Sequence, residues 1–334
     1  MLGFLYFGFD AFNHLGKKKS DVFNTVQFRN KEHVVKKIFT GWSSIFYLTE
    51  DGSLIHFGLS SEKTDPVLCS LEHEVKNVVC QWKSTFLISV DGKLMCWDED
   101  DYSSPPNVLN EQTESVFVTE VAVGDMHSLA LTNDGTLFSI CKNKIEKLPF
   151  NLVVNSVCCG KEHVLCLTAD GKIYSYGLGS RGQLGHGTTE NEESPRVVEA
   201  LEGIPIKMIA TGGWHSVALS TIGDIYVWGW NESGQLGLPA SISNKKLSEV
   251  VTFQAIPQLL DFPHDAIIKT VSCGSRHTAA ISEDGQLWTW GWNGHDQLGL
   301  NKSTPVDYPN CVQILPEYKV QNVICNYWNT IVVV

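Results

Sequence analysis

The chain is predicted to be all-β, a seven-bladed β-propeller closed by pairing of its amino-terminal and carboxyl-terminal half-blades. Three observations carry this. A Gly-x-x-His element is followed 11 residues later by a turn glycine, at Gly124–Gly135, Gly160–Gly171, Gly212–Gly223 and Gly274–Gly285. Asp-Gly pairs end short apolar runs at Asp51-Gly52, Asp91-Gly92, Asp134-Gly135, Asp170-Gly171 and Asp284-Gly285, with a reversed Gly223-Asp224. The two ends of the chain are complementary halves of the same unit.

The register takes in two more copies, Gly41–Gly52 with Ser44 at the histidine position and Gln81–Gly92 with the first glycine lost as well. Six residues beyond the turn glycine an aromatic precedes a glycine (Phe57-Gly58, Tyr176-Gly177, Trp228-Gly229, Trp290-Gly291), and eight beyond that comes Leu-Gly (Gly185, Gly237, Gly299). Runs such as Val164-Leu-Cys-Leu-Thr168 and Ser216-Val-Ala-Leu-Ser220 that meet Asp-Gly or Gly-Asp have the hairpin signature, because glycine adopts positive φ without strain and aspartate tolerates it. Repeated hairpins without amphipathic helices between them make small sheets, and sheets stacked around an axis leave only short, protected edges.

At the start, Leu5-Tyr-Phe-Gly8 and Leu15-Gly16 form a second half without a first; at the end, Val323 to Asn329 and Thr330 to Val334 form a first half without a second. Together they supply the seventh blade, so residues 1–334 are expected to form one propeller domain. A chain of 334 residues with 43% hydrophobic and 10% aromatic residues has ample material for such a core. No run approaches the roughly 18 apolar residues of a membrane span. The apolar opening Met1 to Phe9 has neither a basic segment nor a small-residue cleavage site and reads as a strand, so an intracellular protein is expected.

Chemistry-bearing residues fall into ring positions rather than clusters. Cys80, Cys159, Cys273 and Cys325 each directly precede the first residue of the Gly-x-x-His element, where a thiol acts as a small apolar filler. His127, His163, His215 and His277 are a blade apart and are each expected to bond the backbone of their own blade. No metal site, cofactor or catalytic residue is predicted; phosphate loop, nucleophile elbow and His-Glu-x-x-His motifs are all absent. The run Gly179-Ser-Arg-Gly-Gln-Leu-Gly185 looks like a phosphate cradle, but its counterparts from Asn231 and Asn293 mark it as a repeat loop.

The free positions of the ring locate a candidate binding face. Between each fixed glycine and histidine lie two residues that the scaffold does not dictate, giving Trp42, Trp82, Asp125, Met126, Lys161, Glu162, Trp214, Arg276, Tyr327 and Trp328 as candidate partner-binding residues. Tryptophan, tyrosine and arginine are the types enriched in interface hot spots. The interval Pro239–Asp265 is long enough to be a second contact strip or a linker. With 25 basic against 37 acidic residues and a net charge of −12, direct nucleic-acid binding is not expected. Lys17-Lys-Lys19 and Asp98-Glu-Asp-Asp101 read as solvated loops.

The motifs Gly212-Gly-Trp-His-Ser216, Gly274-Ser-Arg-His-Thr278, Trp228-Gly-Trp-Asn-Glu-Ser-Gly-Gln-Leu-Gly237 and Trp290-Gly-Trp-Asn-Gly-His-Asp-Gln-Leu-Gly299 resemble the regulator of chromosome condensation family of seven-bladed propellers, along essentially the full chain. Units starting at residues 41, 81 and 124 are shorter and lack Gly-Gln-Leu-Gly, so those blades are expected to be trimmed. The resemblance implies a non-enzymatic interaction propeller, in particular a partner of a JmjC-domain oxygenase or demethylase acting on chromatin, in the nucleus. Its alternative implication is guanine-nucleotide exchange on a Ran-type small GTPase. The photoreceptor branch of the family is disfavoured, since the typical Gly-Trp-Arg-His series is missing and most tryptophans occupy strand positions.

Overall fold

The computed structural model describes residues 2–9, 22–29, 31–42, 44–58, 66–82, 84–97, 101–110, 116–141, 144–242, 250–263, 266–300, 303–313 and 318–334. They form seven antiparallel sheets in a seven-bladed β-propeller fold: one sheet of three strands, five of four and one of five. In the three-stranded sheet Phe4–Gly8 lies beside Asn329–Val333, which pairs with Asn322–Asn326, so both ends of the chain share one blade. Lys17 to Lys19, Leu15-Gly16 and Asp98 to Asp100 lie outside the described residues.

Contacts divide the chain into two compact units. The first, Met1–Leu5, Asp10–Val123 and Ser128–Pro149, holds three blades. Their fourth strands are short, only Val67–Leu68 and Asn107–Val108 in the first two and Lys144–Lys147 in the third, as the missing Gly-Gln-Leu-Gly loops suggest. The five-stranded sheet has a strand the sequence pattern did not reveal, Thr25–Phe28, pairing antiparallel with Lys31–Thr40. Two cores lie between blades, one built on Phe46, Leu87, Met95, Trp97 and Tyr102, the other on Ile88, Leu94, Val118 and Ala130.

The second unit, Tyr6–Phe9, Gly124–His127 and Phe150–Val334, contains the regular blades. Their second strands, His163–Thr168, His215–Ser220 and His277–Ser282, are buried at every residue. The fourth strands Glu192–Val197, Phe253–Leu259 and Val306–Cys311 are largely exposed or half-buried. The Pro239–Asp265 interval therefore supplies a strand, Phe253–Leu259, rather than a free loop; residues 243–249 and 264–265 of it are not among those described. Trp228 and Trp290 are fully buried in the inter-blade cores with Val217, Leu236 and Ile268 around Trp290, and Leu165, Ile206 and Ala218 around Trp228.

In the second unit three hydrogen-bond chains of one form link successive blades and explain the repeat. His163 Nε2 meets Ser216 Oγ of the following blade at 2.9 Å, and Ser216 donates to the Gln183 carbonyl at 2.9 Å. His215 pairs with Thr278 at 3.0 Å and Thr278 with the Gln235 carbonyl at 2.8 Å; His277 pairs with Thr330 at 3.0 Å and Thr330 with the Gln297 carbonyl at 2.8 Å. The hydroxyl spends its single proton on the carbonyl, so it must accept from the imidazole, which places a proton on Nε2, while burial keeps the ring neutral. The expectation that each histidine bonds its own blade's backbone is thus corrected: the bond crosses to the next blade's hydroxyl, which returns it to the backbone of the first.

Glycine is required at the start of the element because the imidazole lies on it. A Cβ at Gly212 would sit 2.0 Å from His215 Cε1, and at Gly274 2.0 Å from His277 Cε1. His127 departs from this pattern. It is half-buried, edge-on to the Tyr176 ring at 5.4 Å, and the residue in the hydroxyl position of the next blade is Val164. At the hairpin turns Thr49, Ser89, Thr132 and Thr168 donate to the aspartate two residues on, each at 2.5 Å, and the bond from Thr49 is the chief cause holding Asp51 down at about 2. Cys80 and Cys325 are buried and pushed up to about 12, which leaves them as packing residues.

Burial holds His163 and His215 at about 3 and His277 at about 4. Unfolded histidine titrates near 6.5, so below that pH the unfolded chain takes up protons that the folded chain refuses. Stability is then complete above about pH 6.5 and falls as the pH drops toward 4, with three groups giving a slope of up to about 4 kcal/mol per pH unit. Chemical denaturation midpoints measured from neutral pH downward should decline across this range; a flat profile would contradict neutral, buried imidazoles. Thr278→Val should cost about 1–3 kcal/mol in the same measurement, because the His215 N–H loses its acceptor without access to water.

Candidate functional site

The free positions of the second unit lie in one row, and the backbone puts them there. The amide of Asp125 donates to the Lys161 carbonyl at 2.9 Å, Lys161 to Gly213 at 2.9 Å, Gly213 to Ser275 at 3.0 Å and Ser275 to Tyr327 at 2.9 Å. Each bond joins the first free residue of one turn to the first free residue of the next. A second set of bonds ties the other free residue to the position after the aromatic-Gly pair: Leu178 to Glu162, Trp230 to Trp214, Trp292 to Arg276 and Phe9 to Trp328, with amide-to-carbonyl distances between 2.8 and 3.1 Å. The scaffold therefore specifies the backbone of this face and leaves its side chains open except at Gly213, where a Cβ would lie 2.8 Å from the Ser275 carbonyl oxygen.

Those side chains form a ladder of cations and indoles. Lys161 Nζ lies 4.9 Å from the centre of the Trp214 ring, and the Arg181 guanidinium lies 4.7 Å from Trp214 and 5.4 Å from Trp230. Arg276 lies 4.7 Å from Trp230, and the two indoles meet edge to face at 5.4 Å. Carboxylates attend one end only. Asp125 is 3.4 Å from Lys161, while Glu162 accepts the Trp214 indole N–H at 2.8 Å and stands 3.7 Å from Arg181.

The supports of the ladder are built from the repeat loops. Arg181 sits in the Gly179–Gly185 loop, where its amide donates to Gln183 Oε1 at 2.8 Å; Ser233 and His295 make the same bond to Gln235 and Gln297. These buried glutamines hold their loops with the side chain and receive the inter-blade hydroxyl and the Trp228 or Trp290 indole N–H on the carbonyl. That use of the loop is structural, and it leaves no cradle for phosphate. Next to the ladder a second aromatic group joins Trp292 to Trp328 at 4.8 Å, Trp292 to His295 at 5.1 Å and His295 to Phe9 at 4.8 Å.

Of the residues singled out from sequence, Lys161, Glu162, Trp214 and Arg276 come together, Asp125 joins them through its ion pair, and Trp328 belongs to the adjoining aromatic group. Met126 is 57% exposed and lies bare beside Asp125, and Tyr327 contributes its carbonyl. Trp42 and Trp82 belong to the first unit, where their rings lie 4.6 Å apart with Trp82 62% exposed. Arg181 and Trp230, both essential to the ladder, were missed. Trp230 stands directly after an aromatic-Gly pair, as do Leu178 and Trp292, so that position was a second free site readable in the same period.

Among the described residues no three histidine, cysteine, aspartate or glutamate side chains are close enough to hold a metal ion, and no helix is long and apolar enough to cross a membrane. What the face offers is large, partly buried aromatic area in contact with cations.

Comparison with known proteins agrees with this architecture. The mouse (Mus musculus) and human (Homo sapiens) RCC1 domain-containing protein 1 are 43% and 42% identical over 187 and 189 residues, each match covering 48% of this chain and 50% of the relative. The chain thus spans about half the length of the curated relatives it matches. Among solved structures, Prp20p of Saccharomyces cerevisiae, described with its binding properties to Gsp1p and histones, superposes with a TM-score of 0.79 at 17% identity, covering 99% of this chain and 91% of that one. That likeness is one of fold. Residues 60–332 match the family described as RCC1-like domain, and with seven glycine-spaced blades already in view the chain belongs to that family.

Proposed function

We propose that this chain, as a single propeller domain over residues 1–334, is a non-catalytic docking module and that the cation–indole ladder is its binding face. The observation that carries this reading is the row of turn-to-turn backbone bonds. It lines up scaffold-free positions and fills them with Trp214, Arg276, Lys161 and Glu162, side chains the fold itself does not demand. Similarity to the RCC1 domain-containing proteins, together with the motif resemblance, supports a more specific role. The chain would act as partner or regulatory subunit of a chromatin-associated JmjC-domain oxygenase or demethylase, in the nucleus and without contacting nucleic acid itself. A net charge of −12 favours reaching chromatin through a partner.

A second reading is nucleotide exchange on a Ran-type GTPase, favoured by the fold likeness to Prp20p, whose description includes binding to Gsp1p. At 17% identity that likeness is one of fold alone.

Affinity capture with the intact chain should recover a JmjC-domain enzyme, and Trp214→Ala or Arg276→Gln should lose it while Val153→Ser, an exposed position elsewhere, keeps it. Trp214→Ala should also cost about 1–2 kcal/mol of stability, from the lost indole bond and cation contacts, whereas Trp82→Ala should change stability by under about 0.5 kcal/mol. Capture indifferent to both ladder variants would remove this face as the docking site. Release of fluorescent nucleotide from a Ran-type GTPase should not be accelerated by the purified protein; acceleration would favour the exchange reading.

A further inference from the structure

We propose that the ladder receives an acidic, partly apolar peptide segment of the partner, with a carboxylate closing on the guanidinium of Arg276. This rests on the docking-face reading and adds the chemistry of what docks.

The ladder's charges are unevenly matched. Lys161 has Asp125 and Arg181 has Glu162, but Arg276 has no carboxylate within ion-pair reach among the described residues, and its Nε is buried without a hydrogen-bond acceptor. Stacking on Trp230 occupies a face of the guanidinium and leaves its in-plane N–H donors, whose fork matches a carboxylate in two parallel bonds. The indole also fixes the side chain before any ligand arrives, so little rotamer entropy remains to be lost on binding. Three cations against two carboxylates leave the ladder with one positive charge in excess on a chain of net charge −12. An acidic segment is therefore attracted to this face and repelled by the protein as a whole, which favours one docking position over others.

The apolar part of the ligand follows from what adjoins the Arg276 turn. The Trp292 amide bonds the Arg276 carbonyl at 2.8 Å, and Trp292 packs with Trp328, so half-buried aromatic area begins on the strand bonded to that turn. A residue pair of one acid and one aliphatic side chain fits both features. A nucleic-acid phosphate chain fits less well, because its affinity depends on neutralising a run of charges, and Asp125 and Glu162 interrupt the cations here.

The test uses the full chain and labelled short Glu-Leu repeat peptides, read by fluorescence anisotropy. Binding should saturate, should weaken by at least about tenfold for the matching Gln-Leu peptide, and should weaken similarly in Arg276→Gln and in Arg276→Lys, which keeps the charge but loses the fork. Unlabelled Glu-Leu peptide should displace the captured partner. The proposal is overturned by equal affinity for the Gln-Leu peptide, by Arg276→Gln binding as tightly as the unchanged protein, or by labelled duplex DNA binding more tightly than peptide through Arg276. Melting temperatures of both variants identify a folding defect, and Glu-Leu binding that is insensitive to both in folded protein also overturns it. If ladder variants abolish partner capture while the peptides show no preference for glutamate, the acidic chemistry fails and the docking face stands.

Discussion

The hydrogen bond from a buried imidazole to the hydroxyl of the next blade is the constraint on which the regular half of this protein depends. Each blade presents one face it cannot bury alone. Hydrophobic contact brings neighbouring blades together but does not set their register, since apolar surfaces slide at little cost. A buried N–H that must meet one hydroxyl, which must meet one carbonyl, does set it, because any slip leaves polar groups without partners. The consequences reach back into the sequence as a glycine where the imidazole lies flat, a serine or threonine after the next histidine position, and a glutamine whose carbonyl ends the chain of bonds. The indoles of Trp228 and Trp290 share those carbonyls, so packing and polar register are specified by the same atoms.

The same economy explains where the cation–indole ladder arises. Once Gly, His, hydroxyl and Gln have fixed each turn, the two residues between glycine and histidine are held in place by backbone bonds alone. Their side chains contribute little to register and are free to carry other chemistry. In the second unit they carry tryptophan, arginine, lysine and glutamate. In the first unit Ser44 and Ser84 stand where the relay has histidine, fourth strands shrink to two or four residues, and the free positions hold the exposed Trp42–Trp82 pair instead.

Much of this was legible in one dimension, for identifiable reasons. Glycine spacing revealed the seven blades and the shared terminal sheet, because positive φ and an overlying imidazole both exclude a side chain and so leave an unambiguous mark. The strand Thr25–Phe28 left no such mark, being short and without a repeat counterpart. The strand Phe253–Leu259 was obscured by a long interval with turn-forming residues near its start, and it holds Pro257, which an outer strand accepts. The destination of the histidine bonds could not be read, because a donor one blade from its acceptor is separated by 53 to 63 residues that carry no record of their pairing.

The ladder shows most clearly what a period can and cannot convey. Lys161, Glu162, Trp214 and Arg276 were found because they share a ring position, while Arg181 and Trp230 were missed because they belong to two other positions of the same repeat. The turns fix where six side chains begin, and the lengths of those side chains decide that they interleave. A glycine or alanine at position 230 would preserve every backbone bond described here and still remove the plane on which both arginines rest. The ladder is therefore a property of side-chain identity laid over a scaffold that does not require it.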